Sequence, residues 1–116
     1  MDYLHEDLAV KYLGGYDYVN GDGDPMDDNY DAEGHLGHGT RCAGIIAAET
    51  NMPTDTLGTG IAGVAWNPQI VALKMLDSNG LGNNWDIVES IGYATGVRSS
   101  IINMSFGGDP SLDWKL

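Results

Sequence analysis

The sequence predicts an α/β fold built on a parallel sheet, and three observations carry that expectation. Apolar residues come in short alternating or continuous runs that suit strands. In two longer stretches they recur at three- and four-residue spacings that suit helices. The two kinds follow one another as strand, helix, strand, helix, strand, the order of right-handed βαβ units in which each helix returns the chain across one face of the sheet.

The first strand is expected over 14–20, Gly-Gly-Tyr-Asp-Tyr-Val-Asn, where side chains alternate. Residues 21–33 then form an acidic Gly/Asp/Pro loop. Over 38–49 the chain turns small and apolar, with Cys42, Ile45, Ile46 and Ala48 at helical spacings, which predicts a buried helix. Residues 51–63, rich in Gly, Thr and Pro, read as a loop. Residues 69–76 are apolar apart from Lys74 and predict a strand buried on both faces. After the turn-rich stretch 77–84, residues 85–96 place Ile87, Val88, Ile91 and Ala94 on one side of a helix, and 100–105 read as a third strand. About three strands and two helices leave a parallel sheet with bare edges and little cover. The expectation is an incomplete domain that does not reach a well-packed state alone.

Composition narrows the function classes. The chain has 116 residues, 42% apolar and 19% charged, which suits one folded unit rather than a disordered chain. Asp and Glu number 17 against 5 Lys and Arg, for a formal charge of −12. With no basic cluster there is nothing to neutralise phosphates, so nucleic acid and anionic membrane are excluded as expected partners and cations are favoured. No apolar run approaches the ~18 residues of a membrane-spanning helix, so membrane insertion is not expected. The opening residues lack the basic-then-apolar pattern of a cleavable leader. Cys42 is the single cysteine, which excludes an internal disulfide.

The densest chemical signal is His35-Leu36-Gly37-His38-Gly39-Thr40-Arg41-Cys42-Ala43-Gly44. A histidine at the first turn of a helix, flanked by Gly37 and Gly39, is open to close backbone approach and projects its imidazole toward the helix N-terminal end. General-base catalysis needs such an imidazole, oriented by a carboxylate on one nitrogen and free to take a proton on the other.

Residues 37–44 resemble the His-motif block of the subtilisin-like serine proteases; Arg41-Cys42 is similar to the kexin-like branch and Ile45-Ile46-Ala47-Ala48 to bacterial members. Other blocks agree in order. Asp2-Tyr3-Leu4-His5-Glu6-Asp7-Leu8 resembles the segment just after the family's catalytic Asp, and Gly58-Thr59-Gly60-Ile61-Ala62-Gly63-Val64-Ala65 its Gly-Val-Ala block. Leu73-Lys74-Met75-Leu76-Asp77 with Gly80-Leu81-Gly82 resembles the strand and loop lining the substrate cleft. Ile101-Ile102-Asn103-Met104-Ser105-Phe106-Gly107-Gly108 resembles one wall of the pocket for the residue before the scissile bond.

The resemblance implies a three-layer subtilisin-like fold, of which residues 1–116 are an N-terminal-half fragment of one catalytic domain. It implies serine endopeptidase activity on peptide or protein substrates in the parent family, with no cofactor required for chemistry. It implies that His38 is the catalytic base, that Gly80, Leu81 and Gly82 pair with an extended substrate, and that Ser105, Phe106 and Gly107 form the facing wall. Asp7 matches a position where many members bind structural calcium. The family's many secreted members favour a location outside the cytoplasm. By the same comparison the catalytic Asp precedes Asp2 by four residues, before Met1, and the Gly-Thr-Ser-Met-Ala nucleophile block lies beyond Leu116. His38 is then the one triad member within the chain, and the isolated chain is expected to be inactive.

Competing readings are weaker. His35, His38 and Cys42 could meet one zinc ion, but structural zinc sites usually draw on two or more Cys, and Cys42 sits in an apolar stretch suited to a buried thiol. The acidic loop, with Asp22, Asp24, Asp27, Asp28 and Asp31, fails as an EF-hand, because Pro25 stands where the motif needs Gly and Asp31 where it needs Glu. It reads as a solvated acidic loop. Residues 58–63 match the dinucleotide fingerprint in letters but lack its preceding strand and following helix. Ser105 lacks the Gly-flanked elbow of a nucleophile.

Overall fold

A computed structural model of the chain describes residues 1–29, 37–50 and 60–108. Within them run strand β1 (Tyr12–Asp17), helix α1 (His38–Ala47), strand β2 (Ile70–Lys74) and helix α2 (Asn84–Gly96), with a 3-10 turn at Ala9–Lys11 leading into β1. β1 and β2 pair in parallel, from Tyr12 opposite Ile70 to Asp17 opposite Lys74, with an irregularity between Tyr12 and Gly14. Two parallel strands joined through a helix make a βαβ unit, so the α/β expectation holds. The pairing is close. A Cβ on Gly15 would overlap the carbonyl oxygen of Ala72, its partner in the register, so only glycine fits there.

The core is small and sits where α1 meets the sheet. Met1, Leu8, Ala43 and Ala72 are buried together, with Tyr3, Tyr12 and Ile70 packed against them. Tyr3 and Tyr12 stack with ring centroids 4.7 Å apart and planes 12° from parallel, closing one side of this cluster.

Two buried charges tie β1 to β2. At the end of β1, Asp17 Oδ1 accepts the backbone N–H of Val19 at 2.7 Å and of Asn20 at 3.1 Å, while Oδ2 accepts from Asn20 Nδ2 at 2.9 Å. Burial pushes this carboxyl up, and the Asn20 and Val19 hydrogen bonds together with the Lys74 ammonium outweigh it, holding the group below the ordinary carboxylate range. Lys74 Nζ lies 3.4 Å from Asp17 Oδ2 and 3.4 Å from Asp28 Oδ1, yet makes no hydrogen bond among the described residues. The polar interruption in the second strand is thus a buried ion pair with its neighbour.

Helix α2 has both ends defined by its sequence. Asn83 Oδ1 accepts the Asp86 N–H at 3.0 Å and Asn83 Nδ2 donates to Asp86 Oδ2 at 2.6 Å, an N-cap with an acid in the first turn. At the other end Ser99 N–H reaches Ala94 O at 2.9 Å and Arg98 N–H reaches Thr95 O at 3.0 Å. This is a Schellman motif, with Arg98 rather than glycine in the left-handed region at φ 60°.

Several expectations change. The strand expected over 69–76 is not buried on both faces; only Ala72 and Lys74 are buried, since a two-stranded sheet covers little of itself. The buried face of α1 is Thr40, Ala43 and Ala47, and Ile45 is 62% exposed: Thr40 is held by Asp27, Ala43 joins the cluster around Leu8 and Ala72, and Ala47 lies against Gly63. On α2 the buried residues are Ser90 and Ala94, with Val88 and Ile91 exposed. Residues 100–105 form no strand: no neighbour among the described residues supplies a hydrogen-bonding ladder, and Ile101 is 87% exposed. The 21–33 loop is not uniformly solvated, since Asp27 is buried while Asp22 and Asp24 are exposed.

Candidate active site

His38 is the first residue of α1 and is exposed. A helix begins with N–H groups that have no partner in the preceding turn, and the usual remedy is a polar side chain at the N-cap. Here the N-cap is Gly37, which has no side chain to offer. The carboxylate of Asp27 takes over. Its Oδ2 accepts the backbone N–H of Thr40, third residue of the helix, at 2.8 Å and the Thr40 hydroxyl at 2.6 Å. Thr40 Oγ1 in turn accepts the Asp2 N–H at 2.8 Å. Burial pushes the Asp27 carboxyl up, and the two Thr40 hydrogen bonds outweigh it, so the group is held below the ordinary range. Gly37 also has a steric reason: a Cβ there would overlap Asn29 O and Asp27 Oδ1.

The His38 ring faces two groups. Nε2 lies 2.5 Å from the carbonyl oxygen of Ser105, and Cys42 Sγ, one turn along the helix, lies 3.6 Å from the same nitrogen. A carbonyl oxygen only accepts, so Nε2 carries the proton in this arrangement. The imidazole is therefore set as a donor, and to receive a proton at Nε2 it must give up this contact. Cys42 is partly exposed rather than fully buried.

The other predicted residues fall into separate groups. Gly80, Leu81 and Gly82 form an exposed turn built on Asp77, whose Oδ1 accepts the N–H groups of Asn79 at 2.8 Å and Leu81 at 2.9 Å. Those hydrogen bonds, Leu81 first, hold the Asp77 carboxyl below its ordinary range. Gly80 takes φ 77°, and Asp77 N–H donates back to Leu81 O at 2.8 Å. Ser105 is brought to His38, and its hydroxyl exchanges hydrogen bonds with the Asn103 side chain at 3.0 and 3.1 Å. Phe106 and Gly107 follow it in an exposed segment.

Asp7 is held by its backbone, donating to His5 Nδ1 at 3.2 Å and accepting from Glu49 N–H at 3.0 Å. Among the described residues no three His, Cys, Asp or Glu side chains are placed to share a metal ion. His35 and Asp31, weighed above for zinc and for calcium, lie outside the described residues. No helix among the described residues is long and apolar enough to cross a membrane.

Sequence reasoning missed Asp27 as a partner of the helix that carries His38. The available signal was negative: a helix start at Gly37 with no cap of its own leaves Thr40 N–H in want of an acceptor, and nothing in the spacing names which one.

Comparison with known proteins bears on the whole chain. The 47% identical thermophilic serine proteinase of Bacillus sp. (strain AK1) aligns over 109 residues, 94% of this chain and 24% of that protein. Thermitase of Thermoactinomyces vulgaris is 41% identical over 104 residues, 90% of this chain and 33% of its own length. The minor extracellular protease Epr of Bacillus subtilis (strain 168) is 40% identical over 103 residues, 89% of this chain and 14% of that protein. The chain spans a third or less of the length of these relatives. The profile of the Subtilase family runs from residue 1 to residue 115, through the segments that hold His38, the Asp77 turn and Ser105, and the chain belongs to that family.

Proposed function

We propose that residues 1–116 are the His-bearing part of the catalytic domain of a serine-type endopeptidase that cleaves peptide or protein substrates by acyl transfer. The observation that carries the reading is the exposed His38 imidazole at the start of α1, with Nε2 beside the Ser105 carbonyl, in a chain of the Subtilase family. In this reading the serine nucleophile and the carboxylate that orients Nδ1 come from segments outside residues 1–116.

The chemistry follows from the two nitrogens. Nε2 leaves the Ser105 carbonyl and the ring proton moves to Nδ1, where the orienting carboxylate accepts its hydrogen bond; the freed Nε2 then takes the proton of the serine hydroxyl as its oxygen bonds to the scissile carbonyl carbon. When the carbon–nitrogen bond breaks, the same proton passes to the departing amine. Water then repeats the sequence on the acyl-enzyme, with His38 again base and then acid. The exposed Gly80, Leu81 and Gly82 pair with an extended substrate by strand addition, and Ser105, Phe106 and Gly107 supply the facing wall. Glycines there let two backbones approach closely. No cofactor enters these steps; a structural calcium ion at Asp7 is a separate proposal, tested by calorimetric titration. Similarity to a relative named as extracellular supports a location outside the cytoplasm.

A serine-directed covalent probe and a broad peptide substrate test the reading. The full-length protein is expected to label and turn over, and the isolated 116-residue chain to do neither. His38→Ala in the full-length protein is expected to lower kcat on the order of 10⁴-fold or more, since triad members act as a unit. Turnover surviving in that variant overturns the role of His38.

A further inference from the structure

We infer that Asp27 is a positioning residue for His38, acting through Thr40 to fix the first turn of the helix that carries the imidazole. The inference rests on the reading above and extends it to a residue that the sequence places in an acidic loop. Three observations converge. Gly37 gives α1 no cap, and the Asp27 carboxylate, 7% exposed, accepts both the N–H and the hydroxyl of Thr40 in its place. The loop carrying Asp27 is seated so tightly under the residue before His38 that a Cβ on Gly37 would overlap Asn29 O and Asp27 Oδ1. Finally, Thr40 Oγ1 accepts the N–H of Asp2, so one hydroxyl ties the opening segment, the acidic loop and the His helix together.

The physical consequence concerns the helix end. First turns fray because their N–H groups are unpartnered, and His38 stands on that turn with an exposed ring. A buried, ionised acceptor aligned with the helix dipole suppresses the fraying more strongly than a neutral cap. Catalysis is sensitive to the motion that would otherwise follow, because a displacement of about 1 Å can cost on the order of 100-fold in rate. Asp27 touches neither substrate nor the reacting atoms; its effect passes through Thr40 to the backbone of His38.

The test uses the full-length protease with kcat expressed per active site, the sites counted with a serine-directed covalent probe. A residue needed only for folding reduces the number of titratable sites and leaves kcat per site unchanged. Asp27→Ala is expected to lower kcat per site about 10- to 100-fold with KM within about twofold. Asp27→Asn keeps an oxygen for the Thr40 N–H and hydroxyl and is expected to return to within about tenfold of wild type. Unchanged kcat per site in Asp27→Ala, or an Asn variant as impaired as the Ala variant, overturns the inference. If Asp27→Ala yields no folded protein, Thr40→Val decides: it removes the shared hydroxyl and keeps the N–H bond. A several-fold loss of kcat per site supports the inference, and no loss overturns it. His38→Ala separates the two levels. An active His38→Ala brings down the endopeptidase reading and this inference with it, whereas an inactive His38→Ala beside a fully active Asp27→Ala brings down this inference alone.

Discussion

Removing either partner of the buried Asp17–Lys74 pair should have very unequal effects, although both side chains are almost wholly buried. Asp17 accepts three hydrogen bonds from Val19 and Asn20 besides facing Lys74, whereas Lys74 Nζ has none among the described residues. In Asp17→Ala those three bonds go at about 0.5–1.5 kcal/mol each, and the ammonium is left with Asp28, which is half exposed and 3.4 Å away. Together with the uncompensated charge this points to a loss of roughly 3–5 kcal/mol. In Lys74→Met the ammonium is replaced by an apolar side chain of similar length, and Asp17 keeps its three donors. The expected change is within about 1 kcal/mol of zero in either direction. Urea unfolding of the full-length protein, followed by tryptophan fluorescence with the serine covalently blocked to prevent self-digestion, measures both. A Lys74→Met variant as destabilised as Asp17→Ala would refute the reasoning, because it would show that the ammonium, not the network around the carboxylate, holds the strand ends.

Three further outcomes follow from the same geometry. Gly37→Ala should force Asn29 and Asp27 away from the start of α1, lowering both thermal stability and turnover, with a stability loss of about 1–3 kcal/mol by calorimetry. On acidification, Asp17 and Asp27 are both held below the ordinary value of about 3.9, so the unfolded state binds more protons as pH falls. Their stabilisation is present in full above the unfolded value and lost as pH drops through the lower folded values; Asp27→Asn should flatten that acid limb in a series of melting curves. Arg98→Gly relieves the left-handed conformation at the end of α2 while adding freedom to the unfolded chain, so the net change should lie between zero and about 1 kcal/mol of stabilisation.

What was legible in the sequence depended on whether the signal was local. The start of α1 at His38 and the α/β order could be read from spacing, because helices and strands impose their periods on neighbouring residues. The buried face of α1 could not, since Thr40, Ala43 and Ala47 are less apolar than Cys42, Ile45 and Ile46, and burial followed cover by distant segments, the Asp27 loop over Thr40 and Gly63 over Ala47, rather than hydropathy. Residues 100–105 have strand-like composition, but a strand exists only with a partner, and pairing is not a property of one segment. The Asp27–Thr40 bonds span 13 residues between a loop and a helix, a distance over which no motif fixes a partner.

The irregularity at the entrance of β1 leaves a spare residue in the ladder. Tyr12 stands opposite Ile70 and Gly14 opposite the very next residue, Val71, so Leu13, which is 60% exposed, faces no partner of its own. A chain shorter by that one residue could join Tyr12 directly to Gly14 in an even ladder, with Asp17 still opposite Lys74. Variation in length is thereby absorbed at the threshold of the strand, before it reaches the buried charges at the other end.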